Sequence, residues 1–308
     1  MKKILLLFIA IVFACSSENK NKYEYLIKDE SFKKNFILSS NEDFIELSQG
    51  FTYYKWANKN INKSPIVLVH GFSVPSYIWE PTFKILSEKG HYVITLDLYG
   101  RGFSENLEED YTDKLLANQV LDLLKELNIK SAKLIGLSNG GRIISKIADL
   151  NPKIVKKLIY VASSGFRYIN EEINKDVSEN EINDFINKNY PQISIEQLND
   201  FKYPEKHIGW DKKYEELLKY KGFAKALIST RKNHSVMDEI HKKIQLSNIP
   251  VYTFWGENDE VVIFDSFKKR IDSILPKRKD FFISNSGHLP HMENQNDFNE
   301  ILLSIIQN

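Results

Sequence analysis

Short apolar runs alternate along this chain with longer stretches whose apolar positions recur at helical spacing. Residues 44–47 and 51–56 read as two early strands joined by a Gln49-Gly50 turn. Residues 65–69 form a continuous apolar run, as a strand covered on both faces requires. Further runs of this kind follow at 92–96, 134–137, 158–161, 251–255 and 281–283. Between strands the spacing turns helical: Leu116, Val120, Leu123, Leu124 and Leu127 share one helix face, and Thr112 is placed to cap its N-terminus. The alternation predicts an α/β fold, a doubly wound, mostly parallel sheet with helices on both faces. In such sheets ligands bind beyond the carboxyl ends of the strands.

The first residues break this rhythm. Lys2 and Lys3 precede an apolar stretch over 4–14, after which Cys15-Ser16-Ser17 opens a polar segment. Residues 1–14 therefore read as a secretory signal segment, too short for a comfortable membrane span. Val12-Phe13-Ala14-Cys15 resembles a bacterial lipobox, which implies a lipid anchor at Cys15 and an exported, membrane-anchored lipoprotein of the bacterial cell envelope. An ordinary cleaved signal, giving a secreted or periplasmic protein, and an uncleaved anchor are the alternatives. Residues 15–30, rich in Ser, Glu, Asn and Lys, predict a polar tether.

Cys15 is the only cysteine among 308 residues, which excludes an internal disulfide and a thiol nucleophile. Without Lys2 and Lys3, 40 basic residues face 41 acidic ones with the signs interspersed, so no basic field points to a nucleic-acid partner.

Candidate chemistry gathers where the pattern places strand ends. Gly136-Leu137-Ser138-Asn139-Gly140 spells G-x-S-x-G between an apolar run and a helical one, the setting of a strained strand-to-helix turn that projects a serine hydroxyl. A neutral serine needs a base, which His288 in Asn285-Ser286-Gly287-His288 supplies, and an imidazole needs a carboxylate to hold its tautomer, for which Asp259 is placed. His70-Gly71-Phe72 and Asp97-Leu98-Tyr99-Gly100-Arg101-Gly102-Phe103-Ser104 follow two other strands.

Taken in this order, these motifs resemble the α/β-hydrolase superfamily, in the group that combines an H-G-F loop and a D-x-x-G-x-G-x-S segment with a separate helical cap. The resemblance covers roughly residues 43–306, apart from most of 166–235. It implies a core in two parts, 31–165 and 236–308, with a helical cap over 166–235 folded across the serine. It also implies Ser138, Asp259 and His288 as the catalytic triad and the backbone N–H groups of Phe72 and Asn139 as the oxyanion hole.

Rival assignments exist within the same loops. His291 could replace His288 but lacks the preceding glycine, and Glu257 could replace Asp259. Pro290 between His288 and His291 argues against a metal pair. Asp97, Arg101 and His70 read as braces of the loops, and His91, His207, His234 and His241 as ordinary positions. Aromatic residues of the cap segment, among them Phe185, Tyr190, Phe201, Tyr203, Trp210 and Phe223, read as cap core.

Relatives that dehalogenate alkanes or open epoxides carry Asp at the elbow, so Ser138 points instead to acyl transfer to water. The expected activity is carboxylic-ester hydrolysis of a small-molecule ester or related acyl substrate, without metal or organic cofactor. A C–C hydrolase of the meta-cleavage type, and a non-catalytic tethered module on the same scaffold, are the alternatives.

Overall fold

A computed structural model describes residues 22–60 and 62–307. The expected signal segment and the lipobox with Cys15 lie outside the described residues.

Eight strands form one sheet: β1 (Glu42–Glu46), β2 (Phe51–Ala57), β3 (Ile66–Val69), β4 (Val93–Leu96), β5 (Ala132–Leu137), β6 (Val155–Val161), β7 (Val251–Gly256) and β8 (Lys279–Ile283), in the order β1-β2-β4-β3-β5-β6-β7-β8. The pairs β1–β2 and β2–β4 are antiparallel, and every pairing from β4 through β8 is parallel. Each strand lies on one of the apolar runs read from the sequence.

The continuous apolar character of β3 has a direct cause. Ile66 and Leu68 pack into one apolar cluster with Phe83, Leu86, Phe298 and Leu302, while Val67 and Val69 point to the opposite face and meet Leu116, Val120, Ile143 and Ile147. Both faces are therefore dry, and each such side chain contributes about 1.5–3 kcal/mol relative to exposure. The Asp113–Glu126 helix begins as expected, with Thr112 Oγ1 accepting the Leu115 N–H at 3.0 Å.

Between β6 and β7 the chain leaves the sheet to build the helices Glu179–Glu196, Trp210–Glu215 and Phe223–Lys232 before returning through Asp238–Leu246. Tyr190, Phe201, Trp210, Tyr214 and Phe223 are buried in the cluster that this excursion shares with one sheet face. Among the described residues no helix is long and apolar enough to cross a membrane.

The described part of the segment expected as a solvated tether is docked. Glu24 N–H donates to Leu218 O, Leu26 N–H to Lys219 O and Lys221 N–H to Leu26 O, each at 2.8 Å. The Glu24 carboxylate accepts the N–H groups of Gly222 (2.8 Å) and Ala224 (2.7 Å) and the Tyr190 hydroxyl (2.6 Å). A carboxylate at this position satisfies the orphan donors of the Phe223–Lys232 helix and opposes its positive end. Lys28 is buried, donates to Gly102 O at 3.1 Å, and is pulled by that burial down to about 7. Residues 22–28 thus form a strap across the cap.

Candidate functional site

The site is built where β5 meets the Asn139–Leu150 helix. Ser138 has φ +48° and ψ −112°, a conformation rarely adopted by an L-residue, and is held there by its N–H donating to Val161 O at 2.8 Å and its carbonyl accepting from Gly141 N–H at 3.0 Å. The turn is tight because side chains are missing around it. A Cβ on Gly136 would collide with the Gly140 backbone, and one on Gly140 with the carbonyls of Val69 and His70. Ser138 therefore stands at the carboxyl edge of the sheet, beside the ends of β3 and β6.

A second pair of loops approaches from β7 and β8. Gly256 has no room for a Cβ against the carbonyls of Gly287 and Ser286, and Asn258 N–H donates to Ser286 O at 2.9 Å. This contact carries Asp259 to His288. His288 Nδ1 donates to Asp259 Oδ2 at 2.9 Å, while Asp259 Oδ1 accepts the N–H groups of Val261 and Val262, both at 2.8 Å. With the proton fixed on Nδ1, the free lone pair of His288 is on Nε2. Burial pulls the imidazole down, but the charge and hydrogen bond of Asp259, assisted by Asp200, outweigh it and leave His288 above its ordinary value.

Ser138 and His288 face one cavity of about 230 Å³, which Phe72, Ser73, Gln197, Asp200 and Leu289 also line. The backbone N–H groups of Phe72 and Asn139 donate to no protein acceptor among the described residues. Asn139 opens its helix, where such donors are left over by the geometry. The structure thus places Ser138, Asp259, His288 and Phe72 on neighbouring loops, and Asn139 at the first turn of the following helix, at one edge of the sheet.

The remaining motif residues brace these loops. Asp97 accepts the N–H groups of Ser76 and Phe103, each at 2.8 Å, and buried Arg101 donates through Nε to Phe72 O at 2.9 Å. His70 accepts the Leu98 N–H at Nε2 (2.9 Å), which leaves Nδ1 to donate to Gly71 O (3.0 Å). His291 is buried and donates through Nε2 to Ile78 O at 3.0 Å, so it does not line the cavity.

Three contributors had no motif to announce them. His234 lies against the site, its Nε2 donating to Asn139 Oδ1 at 2.8 Å and its ring 6.4 Å from Phe72. Burial, with Arg142 and Arg101 nearby, lowers it to about 3 and keeps it neutral. Asp200 ends the Gln197–Asp200 turn of the cap and accepts the His288 N–H at its carbonyl, 2.8 Å away. Glu293 joins cap to loop, accepting the N–H groups of Lys202 (2.7 Å) and Gly287 (2.6 Å). No periodicity or spacing marks such long-range partners.

A family model described as alpha/beta hydrolase fold matches residues 64–243. The chain is similar to the uncharacterized hydrolase YugF of Bacillus subtilis, 25% identical over 260 residues that cover 78% of this chain and 89% of that protein. It is also similar to Lipase 3 of a Moraxella species, 24% identical over 286 residues, 89% of this chain and 85% of that lipase. Among solved structures, the esterase EaEST from Exiguobacterium antarcticum superposes with a TM-score of 0.70 at 20% identity, covering 86% of this chain and 99% of its own, a likeness of fold.

Proposed function

Because the chain belongs to the alpha/beta hydrolase fold family, we propose that it hydrolyses carboxylic esters through an acyl-enzyme on Ser138. The observation that supports this most is the convergence of the strained Ser138 turn and the Asp259-oriented His288 on one cavity. In this reading His288 Nε2 takes the Ser138 proton as Oγ attacks the ester carbonyl, and Asp259 stabilises the imidazolium that results. The N–H groups of Phe72 and Asn139 receive the oxyanion of the tetrahedral intermediate. Collapse expels the alcohol with the proton from His288, and water then repeats the sequence to release the acid. The similar proteins described as a lipase and an esterase support an acyl substrate. A panel of p-nitrophenyl esters from acetate to palmitate tests the proposal. Turnover lost in Ser138→Ala supports it, and turnover of none of the esters contradicts it.

The lipobox-like Val12-Phe13-Ala14-Cys15 supports a further proposal, that Cys15 is lipidated and tethers the enzyme to a membrane of the cell envelope. The nine chain steps from Cys15 to docked Glu24 can span at most about 32 Å, so such an anchor would keep the cap face close to the bilayer. Expressed in a bacterium, Cys15→Ala is expected to lose labelled palmitate. Equal incorporation in the variant would contradict the anchor.

A further inference from the structure

We propose that Asp200 makes the Ser138 cavity selective for esters carrying a cationic group, such as an alkylammonium, beside the scissile bond. The inference deepens the ester-hydrolase reading and rests on it for the word ester.

No Lys or Arg contributes to the wall of the cavity that Ser138, Asp200 and His288 line. Its ionisable lining residues are Asp200 and His288. The two aspartates near His288 differ in how they are held. Asp259 is satisfied by the imidazole and two backbone N–H groups. The Asp200 carboxylate makes no hydrogen bond and no ion pair with any described residue, although its backbone is fixed by the His288 N–H. Lys202, two residues on, directs its Nζ to Asn285 Oδ1 at 3.4 Å rather than to Asp200.

Asp200 is partly exposed into the cavity and its carboxylate has no protein donor there, so a ligand can supply the positive partner that the wall lacks. In a cavity whose wall carries no Lys or Arg and whose one imidazole must be neutral for catalysis, a positively charged ligand gains more from this carboxylate than a carboxylate ligand does. Burial raises the Asp200 carboxyl, His288 lowers it and Asp259 raises it again. A bound cation would draw it back toward the ionised form.

Asp200 also stabilises the protonated form of His288, an effect that would act on every substrate alike. The decisive readout is therefore a ratio between a cation and its uncharged isostere. Choline and 3,3-dimethylbutan-1-ol are titrated calorimetrically into the full-length protein. Butyrylcholine and 3,3-dimethylbutyl butyrate are then compared as substrates. The wild type is expected to favour the cation on the order of tenfold in both Kd and kcat/KM, the scale of one partly screened charge pair. In Asp200→Asn both ratios should fall toward one. The wild-type comparison stands even where the variant fails to fold. Equal treatment of the two isosteres by the wild type, or an unchanged ratio in a folded Asp200→Asn, would overturn the inference. Selective choline binding without Ser138-dependent turnover would leave the cation site standing and remove the ester-hydrolase reading.

Discussion

Asp259 Oδ2 lies 2.9 Å from His288 Nδ1 while its other oxygen is pinned by two backbone N–H groups, so the carboxylate is a fixed reference against which the imidazole is oriented. Because this pair raises His288 above its ordinary value, and the base must be neutral to accept a proton, kcat/KM should rise with pH through one ionisation centred above about 6.5. Asp259→Asn should cost on the order of 10³ to 10⁴ in kcat by favouring the wrong tautomer. Its residual activity should titrate at lower pH, since burial is then opposed only by the weaker contribution of Asp200. A profile with the same midpoint in both proteins would contradict this account of His288.

The two histidines of the β8 loop separate cleanly. His288→Gln removes the proposed base and should abolish measurable turnover. His291→Gln changes a buried ring that donates to Ile78 O and packs 4.5 Å from Trp79, so it should lower Tm by a few degrees and leave kcat within roughly threefold. Loss of activity in folded His291→Gln, with His288→Gln still active, would mean the base lies elsewhere.

Gly140 tests the packing of the elbow. Adding a Cβ there meets the carbonyls of Val69 and His70, which belong to a strand end that cannot yield. Gly140→Ala should destabilise the protein by about 1–3 kcal/mol, read as a shift of the urea midpoint. An unshifted midpoint would show that the β3 and β5 ends have slack that the structure does not provide.

Acid should weaken the fold through its buried histidines. Burial lowers His70, His234, His241 and His291 to about 3, whereas in the unfolded chain they take up protons near the ordinary value of about 6.5. Their contribution is complete above about 6.5 and is lost as pH falls toward 3. His288 has the opposite sign: its contribution is complete below the unfolded value and disappears as pH rises through its raised folded value. The urea midpoint should therefore fall between about pH 7.5 and 5.5, and less so in His241→Phe, where a ring already packed 4.6 Å from Phe166 loses its titration. A midpoint constant over that interval would contradict the burial argument.

The elements that sequence disclosed are those with local causes. Runs such as 65–69 announce themselves because a doubly covered strand has no polar face to offer, and Thr112 announces a helix because its cap partner is three residues away. The placement of Ser138, Asp259 and His288 at strand ends followed from motif plus alternation. The strap was missed for the opposite reason. Glu24 reads as one more polar residue in a polar segment, and its partners Gly222 and Ala224 lie about 200 residues along the chain. His234 and Asp200 were equally silent, since each reaches the site through a cap whose path no periodicity fixes.

The central claim is that Ser138 is the nucleophile, and covalent labelling tests it most directly. Wild-type protein and Ser138→Ala are treated with a fluorophosphonate, digested, and mapped by mass spectrometry. The account predicts a stoichiometric adduct on Ser138 in the wild type and none in the variant, with both proteins giving the same circular dichroism spectrum. An adduct on another residue, or an unmodified Ser138 in folded wild-type protein, would contradict it.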